Sequence, residues 1–188
     1  MRKLLEGIVL GALFVATVAR AAPAAGEPES AIDAAKSKAS FSVQHVFVER
    51  VNGSLPIVSG TVTRATNAVI PENVTAVLDA TKLVTGEPDR DASLQSSDFF
   101  DTKRFPAWTF ASTKITPQSA SAFGMDGTLT IHGVTQPEHL DVVVRGDAAH
   151  PAYHAVAHID RHAFGMAITR LDPTIGNTVD VTLEIVLR

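Results

Sequence analysis

The chain has 188 residues, 45% of them hydrophobic, with 16 basic and 20 acidic side chains for a net charge of −4, and no cysteine. Without cysteine neither disulfides nor thiolate metal ligands are available, and an anchor built on an acylated cysteine is excluded, so stability must come from a packed core. The acidic balance argues against a nucleic-acid partner, which requires a basic face.

Arg2 and Lys3 lead into an apolar run, Gly7 to Ala19, that falls short of the ~20 residues a spanning helix needs and closes on small residues. This predicts a cleavable secretory signal over residues 1–21, with Ala19-Arg20-Ala21 and Ala22-Pro23-Ala24 both offering a small-x-small cleavage pattern. The product is then expected to be periplasmic or secreted, with no integral membrane segment after cleavage. Losing Arg2, Lys3, Arg20 and Glu6 with the leader makes the remainder more acidic still. Residues 22–31 are rich in Ala, Pro, Gly, Glu and Ser, the composition of a flexible tether with little to bury. One domain is expected over residues 32–188, because the roughly 165 residues left after cleavage suffice to bury about two thirds of their unfolded surface.

From there the dominant signal is a period of two, which puts alternate side chains on opposite faces of a strand. Phe41, Val43 and His45 share one face, with Ser40, Ser42 and Gln44 on the other. Val58 to Arg64 and Asn73 to Asp79 also suit strands, set between Gly, Pro and Asn clusters. One short helix, or a pair of turns, is predicted from Pro88 to about Phe99, where proline sits near the start and Asp89 and Asp91 favour the positive end of the helix dipole.

Pro106 ends that segment, after which Trp108, Phe110 and Ser112 alternate with Thr109, Ala111 and Thr113. Phe123, Met125, Leu129 and Ile131 make the apolar face of a half-buried strand that ends at His132. His132 to Pro137 reads as a turn, with Gly133 free to take an unusual backbone angle and Pro137 unfit for a central ladder position. Leu140, Val142 and Val144 resume the alternation, Tyr153 to Arg161 suits a strand, and Val179, Val181, Leu183, Ile185 and Leu187 form the last apolar face. Many closely spaced strands without a βαβ rhythm predict an all-β barrel or sandwich, and the pattern alone does not choose between them.

Several segments add a further indication. They are Ser40-Phe-Ser-Val-Gln-His45, the stretch Gly86 to Pro106, the stretch Leu129 to Asp141, Ile159-Asp-Arg161 with Phe164-Gly-Met166, and Ile175-Gly176. In that order they resemble the YceI-like family of lipocalin-like proteins, over about Ser40 to Leu187. The resemblance implies an extended eight-stranded antiparallel lipocalin-like β-barrel with one short helix. It also implies that the barrel binds, and carries or sequesters, a polyisoprenoid or other long-chain amphiphilic lipid, with no cofactor and no chemistry.

An eight-stranded barrel has an interior just wide enough to be filled by its own side chains or to hold one elongated ligand. On that fold Phe41, Val43, Trp108, Phe110, Phe123, Met125, Leu129 and Ile131 would supply an apolar lining, against which each methylene removed from water contributes about 0.8 kcal/mol without fixed register. Met125 and Met166 can re-pack around chains of different shape. By resemblance, Phe99, Phe100 and Phe105 cover one end of the barrel, and Phe164 and Met166 belong to the motif near its last strand. His45, with Ser112 second, is the polar partner best placed for a ligand end-group. Arg161 shares a face with Ile159, and a charge inside the barrel would require a paired acid, unless this arginine is instead a structural lock near the rim; Ala163 stands where the family often has aspartate, so an ion pair through that position is missing. An enzyme acting on a lipid-like substrate through His45 or Arg161, and a filled barrel that binds a partner on its outer surface, are the alternative readings. An exposed strand edge would let two copies pair as a homodimer.

His150, His154, His158 and His162 recur every four residues, a spacing that on a helix would stack them into a metal site. Pro151 and the surrounding Ala and Val alternation favour a strand, on which residues four apart lie about 13 Å from one another at ~3.3 Å per residue. Zinc takes its donors at about 2.0–2.1 Å from one centre, so no metal site is expected from this set. No G-x-S-x-G elbow, glycine-rich phosphate loop or catalytic carboxylate pair stands out. Asp98 and Asp101 read as caps of turns or of a helix end.

Overall fold

The computed structural model describes residues 29–45, 49–166 and 172–188. Ten strands are β1 (Glu29–Ala31), β2 (Lys38–His45), β3 (Glu49–Leu55), β4 (Ile57–Thr63), β5 (Asn73–Asp79), β6 (Ala107–Pro117), β7 (Ala122–Ile131), β8 (Val134–Val144), β9 (Ala152–Asp160) and β10 (Ile175–Val186), with helix α1 (Pro88–Gln95) between β5 and β6. They form one sheet in the order β1-β4-β5-β6-β7-β8-β9-β10-β2-β3. β3 and β4 are a single run of chain bent at Pro56, a residue without a ladder donor. The first half of this run pairs with β2 and the second with β5, so the two ends of the sheet order meet in one bent strand and the sheet curls on itself. Counted in this way, eight long strands make the wall and the three-residue β1 is added beside β4.

β1 corrects the expected boundary between tether and domain. Glu29 to Ala31 pair with Thr63 to Thr61, and the buried Ile32 bridges Leu187, so the fold begins three residues before the predicted start. An unpaired edge accepts any extended backbone, whatever its composition. The predicted signal and the rest of the tether lie outside the described residues.

The turn read over His132 to Pro137 contracts to two residues. His132 (φ 53°) and Gly133 (φ 74°) both have positive φ, as a tight hairpin between twisted strands demands. Pro137 is then inside β8, opposite Thr128 of β7, contrary to expectation. It is tolerated because β9 pairs with β8 only from Leu140 to Val144, so one side of β8 carries no ladder at Pro137.

α1 starts where expected, with Pro88 at its first turn beside Asp89 and Asp91, and the Asp91 carboxylate also accepts the Thr85 amide (2.8 Å) and hydroxyl (2.5 Å). It ends at Gln95 rather than near Phe99. There Ser96 takes over, its carbonyl accepting the amides of Phe99 and Asp101, and turns replace the last predicted helical residues.

One end of the barrel is packed solid. Phe123, 1% exposed, meets Tyr153 edge-on at 6.2 Å, with Val62 and Val142 also buried in this core. The Tyr153 hydroxyl donates to the Val69 carbonyl (3.0 Å) and Arg64 to the Ala68 carbonyl (2.7 Å), tying the β4–β5 connection across this floor. The other end is covered by the long β5–β6 connection that carries α1. Among the described residues no helix is long and apolar enough to cross a membrane.

Candidate functional site

Between that floor and the α1 segment lies a cavity of about 500 Å³, within the ~300–1,000 Å³ range of small-molecule sites. Its wall comes from the inward face of every strand from β2 to β10, and its roof from Leu94, Phe99 and Phe100 on one side and from Phe164 and Met166 on the other. Period-two alternation builds the wall, since inward positions are apolar while the outward ones carry serine, threonine and charge.

Two glycines are required by this wall. A Cβ on Gly53 would lie 2.2 Å from Phe41 Cζ, and one on Gly127 would lie 2.3 Å from Phe110 Cζ. Each aromatic ring therefore lies where a neighbouring strand has no side chain. Gly53 also breaks the apolar alternation of β3, which is why that strand escapes a reading of the sequence.

Of the residues singled out from sequence, Phe41, Val43, His45, Trp108, Phe110, Met125, Leu129 and Ile131 line the cavity, together with Phe99, Phe100, Arg161, Phe164 and Met166. Three lie elsewhere. Phe123 belongs to the floor, packed under Tyr153. Ser112 sits at a register shift between Ser112 and Lys114, and its hydroxyl accepts the Val74 amide (2.8 Å) where the β5–β6 ladder ends. Phe105 packs outside, edge-on to His132 at 5.0 Å and against Gly133, where it closes the back of the β7–β8 hairpin.

The sequence reading also missed wall residues. Val179, Val181, Leu183 and Ile185, an apolar face in the sequence with no mark of a site, line the cavity, as do Leu78 and Glu138. Glu138 shares the face of Leu140 and Val142, so the alternation reaches it as soon as β8 continues through Pro137. Treating that proline as the end of a strand hid it.

The polar groups differ in how they are satisfied. Arg161, 7% exposed, directs its guanidinium at the backbone carbonyls of Gly176 (3.0 Å), Ile175 (3.0 Å) and Met166. These bonds tie the turn after β9 to the start of β10, and Ala163 takes no part through its side chain; its carbonyl accepts from Gln136 (2.7 Å). His45 is at the rim, 3.9 Å from Glu49. Among the described residues the buried Trp108 indole N–H has no hydrogen-bond partner; it lies beside the Phe100 ring at 4.7 Å. Burial and the neighbouring Asp160 raise the Glu138 carboxyl above the usual range.

The evenly spaced histidines do not converge. His154 meets Glu184 (2.6 Å) and His158 meets Asp180 (2.8 Å) across the β9–β10 ladder, and His139 meets Asp126 (2.6 Å) across β7–β8. The Asp126 hydrogen bond raises the His139 pKa, and the bonds from His158 and Arg50 lower that of Asp180. Among the described residues no three histidines and carboxylates are grouped to hold a metal ion.

A profile of the YceI-like domain matches residues 31–187. The chain is 31% identical over 103 residues to a UPF0312 protein of Vibrio campbellii, which covers 55% of this chain and 54% of that protein. It is 29% identical over 111 residues to protein YceI of Escherichia coli O157:H7, covering 59% and 58%. The matched stretches thus span little more than half of these relatives. Among solved structures, BcnA of Burkholderia cenocepacia superposes with a TM-score of 0.72 at 22% identity, over 82% of this chain and 98% of that one. A polyisoprenoid binding domain from Saccharophagus degradans, implicated in plant cell wall breakdown, superposes with a TM-score of 0.65 at 17% identity, over 87% and 99%. At these identities the likeness to the solved structures is one of fold.

Proposed function

The chain belongs to the YceI-like family, and from that premise we propose that it binds a polyisoprenoid or other long-chain amphiphile within the barrel and carries or sequesters it, as an exported protein and without catalysing a reaction. The observation that carries this reading is the apolar cavity of about 500 Å³. A barrel filled by its own side chains, the state expected of a scaffold that works through its outer surface, has no such space. The polyisoprenoid binding described for the Saccharophagus degradans domain, which shares the fold, supports the choice of ligand class.

Binding follows from the wall. Its donors and acceptors are few, so a hydrocarbon chain gains about 0.8 kcal/mol for each methylene removed from water and is not held to one register. Roof residues Phe99, Phe100 and Met166 are the adaptable end. The floor of Phe123 and Tyr153 limits how deep a chain can reach. Nothing in this wall pairs a nucleophile with a base, which favours binding over turnover.

The test is native mass spectrometry of the protein purified from its exporting host, followed by organic extraction and identification of the released lipid. A stoichiometric added mass that extracts as an isoprenoid or other long-chain lipid is expected. Protein that stays free of lipid, and takes up none when incubated with prenyl lipids in detergent, would overturn the proposal. Leu129→Trp fills the middle of the cavity and should abolish uptake while leaving the barrel folded.

A further inference from the structure

Among the described residues, four titratable side chains line the cavity: His45, Arg90, Glu138 and Arg161. Three are accounted for. Arg161 is spent on backbone carbonyls, Arg90 donates to the Thr85 hydroxyl (2.8 Å) and carbonyl (3.2 Å), and His45 is at the rim near Glu49. Glu138 has neither hydrogen bond nor ion pair among the described residues.

Its surroundings explain why. The residue opposite Glu138 on β7 is Gly127, over which the Phe110 ring lies. The residues on either side of Gly127 along that inner face, Met125 and Leu129, are apolar, and so is Leu140, the next inward residue of β8. On the remaining side the β8–β9 ladder has ended, and the charged group felt there is Asp160, another acid. This half-buried carboxyl has given up part of its water without gaining a donor from the protein, which has a cost.

We propose that Glu138 is the head-group site of this cavity, accepting a hydrogen bond from an uncharged O–H or N–H donor at the end of the bound amphiphile and disfavouring chains that end in phosphate or carboxylate. The proposal rests on the lipid-binding reading above and narrows it. A hydroxyl entering the cavity supplies the donor that the protein withholds from Glu138. An anionic end-group would face Glu138 with Asp160 behind it, while Arg90 and Arg161, although still charged, aim guanidinium donors at protein oxygens.

The experiment compares a prenyl alcohol, its monophosphate and the parent hydrocarbon of the same chain length, with binding read from the fluorescence of Trp108, the chain's single tryptophan. A hydrogen bond to a charged group is worth about 1.5–3 kcal/mol, so the wild type should bind the alcohol at least about tenfold more tightly than either other probe. Glu138→Leu should bring the alcohol level with the hydrocarbon, and the near-isosteric Glu138→Gln, verified as folded by its thermal transition, should lose the discrimination against phosphate. Phosphate binding as tight as alcohol in the wild type, or an alcohol preference unchanged in Glu138→Leu, would overturn the proposal. If all three probes bind alike and native mass spectrometry shows that Leu129→Trp blocks them, the lipid-binding reading stands and the head-group assignment falls. If no probe binds, both fall.

Discussion

Gly53 offers a direct test of how the cavity wall is made. A methyl group at this position would lie 2.2, 2.6 and 2.9 Å from three atoms of the Phe41 ring, and the ring accounts for all three of its nearest contacts. Carbon atoms rest at about 3.5–4.0 Å, so in Gly53→Ala the ring must retreat by more than an ångström. In a dense core such overpacking costs about 1–3 kcal/mol. Here the ring borders a cavity of about 500 Å³ and has space to swing into, which puts the expected loss at the lower end, about 1 kcal/mol. For a domain of this size that corresponds to a melting temperature lower by roughly 2–4 °C.

The displaced ring then occupies space meant for the ligand, so lipid affinity should fall more than stability does. The assay is a double-mutant cycle of Gly53→Ala with Phe41→Ala, read by urea unfolding and by lipid binding. In the Phe41→Ala background the added methyl meets nothing from residue 41, and alanine is the better strand residue, so the Gly53→Ala penalty should vanish or reverse by a few tenths of a kcal/mol. An equal penalty in both backgrounds would refute the pairing of ring and glycine. A Gly53→Ala protein with lowered stability but unchanged lipid affinity would refute the claim that Phe41 moves into the binding space.

Arg161→Lys should lower stability by about 1–3 kcal/mol, because one ammonium cannot reproduce the guanidinium fork across three carbonyls, and a melting temperature equal to wild type would contradict that role. Trp108→Phe removes an N–H that is buried without a partner among the described residues. Relief of that unsatisfied donor offsets the lost ring area, so calorimetry should find the variant within about 1 kcal/mol of wild type, and a much larger loss would mean the indole nitrogen does have a partner. Glu138→Gln should be stability-neutral in acid and stabilising at neutral pH. The folded state raises this carboxyl, so it favours the protonated form, and the wild type loses stability relative to the variant as pH rises through the folded-state pKa. Melting curves at pH 4 and pH 8 that differ by the same amount would count against an unpaired acid in the wall.

The strands were legible wherever one face is continuously apolar. β5 runs from Asn73 to Asp79 as expected, and β6, β7, β9 and β10 start or end within a few residues of their alternating stretches. Legibility failed where a single residue masked the pattern. Gly53 empties one inward position of β3, and its missing side chain is supplied by Phe41 from the next strand. Pro137 signals a break, yet its strand has no ladder on the side where a donor would be needed. β1 was hidden for another reason: its residues carry no strand signal, and the edge of β4 alone makes them extended. Each miss is a case in which a neighbouring strand, not the local sequence, decides.

The same logic separates the informative polar residues of the site from the uninformative ones. His45 and Arg161 drew attention because their residue types are chemically versatile, but Arg161 spends its donors on the turn it stabilises and His45 stays at the rim. Glu138 drew none, because its meaning depends on absences in space: no side chain on Gly127 opposite, and apolar neighbours on both strands. A satisfied polar group in a cavity wall explains the fold. An unsatisfied one leaves part of its chemistry for a ligand to complete, and among the described residues the carboxyl that faces the cavity without a donor is Glu138, so on the proposal above it is this group, more than the numerous apolar residues around it, that would constrain the polar end of a ligand.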